Sequence, residues 1–218
     1  SFSGNSANGS WGSGGGIYNA ENSALFVSHS TFSENSASGN GGAIHNYGTL
    51  VVDNSTFIDN SAARGGGIGS WEGTVEVSNS SFSGNTAVLY DGGGIACQAG
   101  PLIVSKSTFS NNAAGAASGG GIYFNRASVQ GSLTVNNSTF SENSASYGGG
   151  IEVPNGSATV SNSTFSGNSA SYGGGILTWG TLTMSNSTFS GNSATYSGGG
   201  ILNYDAVTLK NTIVANSP

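Results

Sequence analysis

The sequence is poor in charge, cysteine and proline. Of its 218 residues, 6% are charged, one is cysteine and three are proline, and the formal net charge is −6. A single cysteine, Cys97, excludes an internal disulfide bond, and we expect it to be a small buried side chain. The four basic residues form no stripe that would neutralise phosphates. The sequence therefore predicts no binding to nucleic acid or to an anionic membrane surface.

Long apolar runs are missing as well. No run approaches the roughly 20 consecutive apolar residues that a membrane helix requires, so we expect no membrane insertion by this segment. No secretory signal opens the chain, which begins and ends inside copies of a repeated phrase. We interpret it as a mature chain, a piece of a longer protein, or a unit that continues into a neighbouring copy.

What the chain has instead is glycine, at 38 positions, and a phrase, S-T-F-S-x-N-S-A, that returns every 24 to 31 residues. Its aromatic positions, with Ile213 in the ninth place, are Phe2, Phe32, Phe57, Phe82, Phe109, Phe140, Phe165 and Phe189. An asparagine follows three residues later in every copy, at Asn5, Asn35, Asn60, Asn85, Asn112, Asn143, Asn168, Asn192 and Asn216. A repeat of this length is typical of a solenoid.

Each repeat also contains two further apolar phrases. One reads G-G-G-I, as at residues 65–68, and the other alternates apolar and polar residues, as at residues 74–78. Short alternating segments bounded by Gly, Asn and Ser indicate strands, and the glycine content opposes helix. The sequence therefore predicts an all-β fold, a right-handed single-stranded parallel β-helix. We expect about eight coils of 24–31 residues, with three short strands per coil, in one domain over residues 1–218.

Equivalent residues of successive coils should stack in columns about 4.8 Å apart. Columns of Phe, Ile and Val would then supply a core that no single repeat holds alone. We expect the motif asparagines to adopt the left-handed conformation of tight bends and to hydrogen-bond along their column. The glycine triplets should mark bends where backbone meets backbone. A second asparagine column precedes the Phe positions, at Asn54, Asn79, Asn137, Asn162 and Asn186.

The alternation of F-x-x-N with G-G-[A/G]-I resembles the repeats of chlamydial polymorphic outer-membrane proteins. It is also similar to other right-handed parallel β-helix proteins of bacterial surfaces. The resemblance extends from Phe2 to Asn216. It implies an adhesin-like passenger or surface protein at an extracellular or cell-surface location. The motif residues of that family are structural, so the resemblance implies no catalytic position.

Enzymes with this fold need clustered carboxylates, which the ten acidic residues do not form along the sequence. Glu34 and Asp59 occupy the same place in adjacent repeats, but two carboxylates are too few for calcium, so they are weak metal candidates. His29 and His45 fall in different columns, which disfavours a zinc site. We predict no catalytic residue, no cofactor and no enzymatic activity.

Hydroxyl side chains flank the inward Phe of most repeats and should point outward. The threonines of this array are Thr31, Thr56, Thr108, Thr139, Thr164, Thr188 and Thr212, and the serines include Ser141, Ser166 and Ser190. The pattern resembles the Thr-x-Thr faces of β-solenoid antifreeze proteins. That resemblance implies an ice-binding face, while a plain solvated strand is the alternative interpretation.

Aromatic side chains form further columns. Tyr147, Tyr172 and Tyr196 precede successive glycine triplets, Tyr47 and Trp71 follow two of the motif Ile residues, and Trp179 and Tyr204 follow two others. Exposed aromatic ladders stack on sugar rings or on partner proteins, although they also serve to pack turns. The longest insertion, residues 123–132 with Arg126, should project as a loop and carry binding.

The first function that the sequence predicts is a non-enzymatic, structural or adhesive surface β-helix with a carbohydrate or host-cell-surface partner. Neither end shows a polar cap, so we also expect either head-to-tail self-association of copies or truncation from a longer passenger. The alternative function is ice binding through the outward Thr-x-Ser ladder. A third is a polysaccharide-binding or polysaccharide-degrading β-helix.

Overall fold

The strands wind into a parallel β-solenoid. The computed structural model describes residues 1–125 and 131–217, and within them the strands build four parallel sheets that run along the solenoid axis. Each strand pairs in register with its equivalent one coil away, as Phe57 does with Phe82 and Ile68 with Ile95. The predicted all-β solenoid of about eight coils is therefore confirmed.

Four strands per coil replace the three that the sequence predicts. We name the sheets by their buried residues. The strands of the Phe sheet are Phe2–Ser3, Thr31–Ser33, Thr56–Ile58, Ser81–Ser83, Thr108–Ser110, Thr139–Ser141, Thr164–Ser166, Thr188–Ser190 and Ile213–Ala215. Those of the Ala sheet are Ser6–Ala7, Ser36–Asn40, Ser61–Arg64, Thr86–Ala87, Ala113–Ser118, Ser144–Tyr147, Ser169–Tyr172 and Ser193–Ser197.

The other two sheets follow the glycine triplets in each coil. The strands of the Ile sheet are Ile17–Asn19, Ile44–Asn46, Ile68–Ser70, Ile95–Cys97, Ile122–Asn125, Ile151–Asn155, Ile176–Thr178 and Ile201–Asn203. Those of the Val sheet are Ala24–Ser28, Thr49–Asp53, Thr74–Ser78, Leu102–Ser105, Leu133–Asn136, Ser157–Ser161, Thr181–Ser185 and Val207–Lys210. No helix occurs in the described ranges, so none there is long and apolar enough to cross a membrane.

The Ala sheet was missed because its strands bury only alanine. Ala62 and Ala87 point into the core, while Ser61 and Thr86 are partly exposed. A single methyl group per coil does not stand out as an apolar phrase, and serine-rich segments are more typical of turns than of strands. Pairing with the neighbouring coil, rather than side-chain hydrophobicity, makes these segments strands.

The core consists of the expected columns. The Phe rings of adjacent coils stack with centroids 4.5 to 4.9 Å apart, and from Phe32 to Phe189 they are fully buried. Burial of each ring contributes about 1.5–3 kcal/mol. Cys97 is buried among them, as expected, and burial raises the pKa of its thiol to about 12.

The last coil is shifted by one residue from the prediction. Val214, not Ile213, pairs with Phe189, so Ile213 takes the outward place opposite Thr188 and Thr212 leaves the hydroxyl array. The cause is one additional residue, Ser197, before the last glycine triplet. Asn216 consequently lies one place before the ladder position, in the left-handed conformation.

The motif asparagines from Asn5 to Asn192 form a hydrogen-bonded ladder, which is fully buried from Asn35 onward. Each side-chain Nδ2 donates to the Oδ1 of the next asparagine at 2.8 or 2.9 Å. The same Oδ1 also accepts a backbone N–H, and Nδ2 also donates to the backbone carbonyl of a Phe, as in Asn85 with Phe57. The predicted ladder is confirmed.

The expected left-handed conformation belongs to other residues. In the ladder coils it falls on the residue just before the asparagine, such as Glu34, Gly84 or Asn111. The second asparagine column does adopt it, with φ between 47° and 52°, and His29 and Lys106 adopt it in the two coils without asparagine there. The residues that form the left-handed bends are therefore different from those that form the asparagine ladder.

The glycine triplets bring backbone close to backbone, as expected. In residues 65–67, Gly65 is left-handed, with φ of 66°. A methyl group on Gly66 would lie 2.5 Å from the carbonyl oxygen of Gly93, and one on Gly67 would lie 3.1 Å from the ring of Phe82. The backbone conformation of Gly65 and the short contacts at Gly66 and Gly67 therefore each explain why glycine occupies that position.

The first and last described coils expose side chains whose equivalents elsewhere are buried. Phe2, Leu209 and Val214 are all exposed, whereas the equivalent Phe and Val positions of the middle coils are covered. Head-to-tail association would cover these surfaces and stays a prediction.

Candidate ligand-binding groove

The glycine triplets fold the Ala sheet against the Ile sheet and create a concave corner, which we call the corner groove. The backbone of the bend lies directly on the second residue of each Ile-sheet strand. A methyl group on Gly173 would lie 2.7 Å from Cβ of Leu177, and one on Gly148 would lie 2.8 Å from Cβ of Glu152. Leu177 and Glu152 point away from the core, yet both are buried. They form the floor of the groove.

Two columns of side chains rim the corner groove. Parallel backbone pairing aligns the residues that precede the glycine triplets, namely Arg64, Asp91, Ser118, Tyr147 and Tyr172. On the other side lie the residues that follow the Ile-sheet strands, which include Tyr47, Trp71, Gln98, Trp179 and Tyr204. Side chains far apart in the sequence thus face one another across the corner.

The C-terminal part of the groove is aromatic. It has a volume of about 260 Å³ and is lined by Tyr147, Tyr172, Leu177, Trp179 and Tyr204. The rings of Tyr147 and Tyr172 stack with centroids 5.5 Å apart, and those of Trp179 and Tyr204 with centroids 4.0 Å apart. The two aromatic columns that the sequence predicts separately therefore line one site.

Tyr196 lies beside this site and outside its lining. Its ring is 5.0 Å from that of Tyr172 and tilted by 29°. Its ring completes the predicted tyrosine column, although Ser197 lies between Tyr196 and the glycine triplet and takes the place that pairs with Tyr172. The Tyr172 and Tyr196 rings remain stacked despite the one-residue shift in strand pairing, although Tyr196 is the most exposed of the three tyrosines.

The middle of the groove is polar. Glu152 is only 5% exposed, and its Oε2 has no hydrogen-bond partner. Burial raises the pKa of this carboxyl to about 7; the hydroxyl of Ser118 opposes the shift and the charge of Asp91 adds to it. Burial also raises the pKa of Asp91, against the lowering effect of Arg64, whose Nε lies 3.7 Å from Asp91 Oδ2. Burial raises the pKa of Tyr123, on the same floor, to about 12.

Sequence reasoning missed this cluster. The acidic residues are scattered along the sequence, yet the fold brings Asp91 and Glu152 close enough for the charge of Asp91 to raise the pKa of Glu152. The signal was present in the repeat, because Asp91 precedes a glycine triplet and Glu152 follows a motif Ile. Those two places adjoin across the bend.

The N-terminal part of the groove is closed by its own side chains. The guanidinium of Arg64 lies 5.3 Å from the ring centroid of Trp71 and 4.8 Å from that of Tyr90. Tyr47 packs on His45 rather than on Trp71. His45 is buried, neither ring nitrogen has a partner, and burial lowers its pKa to about 4.

Glu152→Gln should change how stability depends on pH. The folded pKa of about 7 lies above the ordinary value of 4.5, so the contribution of neutral Glu152 is complete below pH 4.5 and is lost as pH rises through 7. Glutamine stays neutral at every pH. Relative to the variant, the wild-type chain should lose about 3 kcal/mol of unfolding free energy over that range. Urea unfolding across the range measures this, and a constant difference would contradict it.

The outward hydroxyl array is in register. Thr108, Thr139, Thr164 and Thr188 pair on consecutive coils, as do Ser110, Ser141, Ser166 and Ser190, and Thr31 pairs with Thr56. All are partly or fully exposed. The Val sheet carries a second threonine column that the sequence analysis did not identify, at Thr134, Thr159, Thr183 and Thr208. Ice binding by these faces stays a prediction.

The remaining candidates are not in the groove. Glu34 and Asp59 lie on neighbouring coils at left-handed bends, and within residues 1–125 and 131–217 no group of three or more His, Cys, Asp or Glu side chains is placed to hold a metal ion. The predicted loop at residues 123–132 begins later than expected, because Tyr123, Phe124 and Asn125 belong to an Ile-sheet strand, and Arg126 with residues 127–130 lies outside the described residues.

Comparison with known families agrees with this architecture. Residues 15–194 match the family described as the right handed beta helix region. The chain belongs to the right-handed beta helix family. Residues 186–204 also match the Chlamydia polymorphic membrane protein repeat. Searches of curated proteins and of solved structures each returned no significant match.

The two family matches together suggest a structural surface protein of the passenger type. The repeat family is associated with outer-membrane and surface proteins, which suggests a surface location for this right-handed beta helix as well.

Proposed function

We propose that this right-handed beta helix is an adhesive surface protein whose corner groove binds carbohydrate chains. The observation that carries the proposal is the pair of stacked aromatic columns that face each other across the groove. Aromatic rings with one polar end suit ligands that have an apolar face and hydroxyl edges, as sugar rings have. A chain of sugars lying along the solenoid axis would meet equivalent positions at about 4.8 Å intervals.

The exposure of the rings supports binding over turn packing. Trp179 is 51% exposed and Tyr204 is 52% exposed, even though they stack on each other. Rings that served only to cover the bend would be buried, as Tyr123 is on the floor of the same groove. A contiguous exposed aromatic patch at a concave site is the kind of surface that marks a ligand groove.

The size of the site fits a short stretch of a longer ligand. A volume of about 260 Å³ lies just below the roughly 300–1,000 Å³ of pockets that enclose a whole small molecule. The groove is open, so a polymer would place a few units between the rings and extend to both sides. This suits attachment to a polysaccharide better than enclosure of a free metabolite.

Trp179→Ala should weaken oligosaccharide binding at least about tenfold, since a tryptophan anchor truncated at the centre of a contact commonly costs 2 kcal/mol or more. A glycan array with the purified chain identifies the best ligand, and titration calorimetry then gives the affinities. Trp11→Ala is the matched control, because Trp11 is highly exposed and lies outside the groove. Equal losses in both variants, or no bound glycan at all, would count against the proposal.

A further inference from the structure

The corner groove already holds one cation of its own. In the N-terminal half the guanidinium of Arg64 reaches across the corner to the ring of Trp71 and lies against the ring of Tyr90 on its own side, and Asp91 is its counterion at 3.7 Å. Aromatic faces attract cations through the ring quadrupole. The two aromatic rings and the Asp91 carboxylate thus form a complete cation site. The cation that occupies it is the guanidinium of Arg64, a side chain of the same protein.

The C-terminal half has the aromatic rings, and the carboxyl of Glu152 lies beside them beneath the bend at Gly148, but the described residues supply no cation there. Tyr147 and Tyr172 occupy the column of Arg64, and Trp179 occupies that of Trp71. Of the other described basic residues, Lys210 lies on the Val sheet and Lys106 directly follows a strand of that sheet. The space between the rings is therefore open, at about 260 Å³.

Glu152 supplies the carboxyl. It pairs in register with Leu177, the floor of the aromatic part, and so lies one coil away from it. Its Oε2 is buried without a hydrogen-bond donor, whereas the carboxylate of Asp91 is matched by Arg64. A buried carboxyl oxygen without a partner is costly, and a donor from a ligand would remove that cost.

We propose that the carbohydrate bound in the corner groove is an amino sugar, whose ammonium group lies against the aromatic rings and donates to Glu152. The inference rests on the proposed function and specifies its ligand class. A cationic ligand also matches the acidic character of the chain, whose formal net charge is −6. Burial holds the pKa of Glu152 near 7, so an approaching ammonium group would draw the carboxyl into its charged form.

Three soluble probes of equal length test the inference by titration calorimetry with the full chain. They are a glucosamine hexamer, an N-acetylglucosamine hexamer and hexalysine, used at about pH 6.5, below the ordinary pKa of an amine. The glucosamine hexamer should bind at least about tenfold more tightly than its acetylated counterpart, because a hydrogen bond between charged groups is worth that much.

Glu152→Gln should abolish this preference, because the neutral amide cannot pair with the ammonium group. The variant keeps the side-chain shape and removes a buried ionisable group, so it should fold. Glu76→Gln, on the exposed face of the Val sheet, is the matched control and should retain the preference. Circular dichroism of all three proteins verifies that the fold is retained.

Each other outcome has a distinct meaning. Equal affinity for the two sugar hexamers, insensitive to Glu152, would overturn the amino-sugar assignment and leave the carbohydrate groove standing. Binding of neither hexamer, together with an empty glycan array, would overturn both. Binding of hexalysine as tight as that of the glucosamine hexamer, with the same dependence on Glu152, would make the ligand a basic peptide and overturn the sugar assignment.

Discussion

Replacement of Asn112 by glycine should lower the free energy of unfolding by about 4 kcal/mol, because two buried donors would lose their acceptor at about 1–3 kcal/mol each and further bonds would be lost. The Oδ1 of Asn112 accepts from the backbone N–H and from Nδ2 of Asn85. Its own Nδ2 donates to Asn143 and to the carbonyl of Phe82. Glycine makes none of these four bonds, and the position is fully buried.

The same substitution at Asn137 is the control. Asn137 is exposed at a bend, with φ of 52°, where glycine is fully compatible. Asn137→Gly should therefore change the unfolding free energy by no more than about 0.5 kcal/mol. Guanidinium unfolding monitored by circular dichroism gives both values. Similar losses in the two variants would show that the ladder is not what holds the coils in register.

The second large effect is expected from Gly120→Ala. A methyl group at this place would lie 2.6 Å from the carbonyl oxygen and 2.7 Å from the amide nitrogen of Ser144, which belongs to the next coil. Both contacts are with backbone, so relief requires that two coils separate and lose hydrogen bonds. We expect a loss of at least about 3 kcal/mol, the upper range for overpacking.

Gly121→Ala provides the comparison within the same triplet. The second coil carries alanine at the third place, where Ala43 is fully buried. A methyl group on Gly121 would lie 2.6 Å from the carbonyl oxygen of Gly150, but Ala43 shows that a coil accommodates a methyl group at this place, so Gly121→Ala should cost about 1 kcal/mol. Thermal unfolding compares the stability of the Gly120→Ala and Gly121→Ala variants. A less stable Gly121→Ala variant would contradict the steric explanation of the triplet.

The sequence alone predicts most of the solenoid. The Phe and Ile columns and the asparagine ladder follow directly from the repeat, because parallel stacking of coils places equivalent residues on one another. The Ala sheet does not follow, because Ser61 and Ala62 have neither the size nor the alternation of a typical strand. The shift of the last coil by one residue depends on Ser197, which pattern matching by spacing overlooks.

The groove is less predictable for a geometric reason. Each aromatic column is visible in the repeat, but the meeting of Tyr172 with Trp179 depends on the angle that the intervening glycines impose on the chain. The cluster around Glu152 depends on the same angle. Asp91 and Glu152 look unrelated in sequence, since they occupy different places in different coils. The bend brings them close enough for the charge of Asp91 to add to the effect of burial in raising the pKa of Glu152.

A carbohydrate bound in the corner groove would lie against Trp179, so the fluorescence of this residue reports whether the groove is occupied. The chain has three tryptophans, so a variant with Trp11→Phe and Trp71→Phe emits from Trp179 alone and keeps an aromatic ring below Arg64. Titration of this variant with the best glycan should shift the emission to shorter wavelength and saturate at the calorimetric affinity, because a sugar ring would displace water from the indole. Unchanged emission while calorimetry records binding would place the sugar elsewhere and contradict the assignment of the groove.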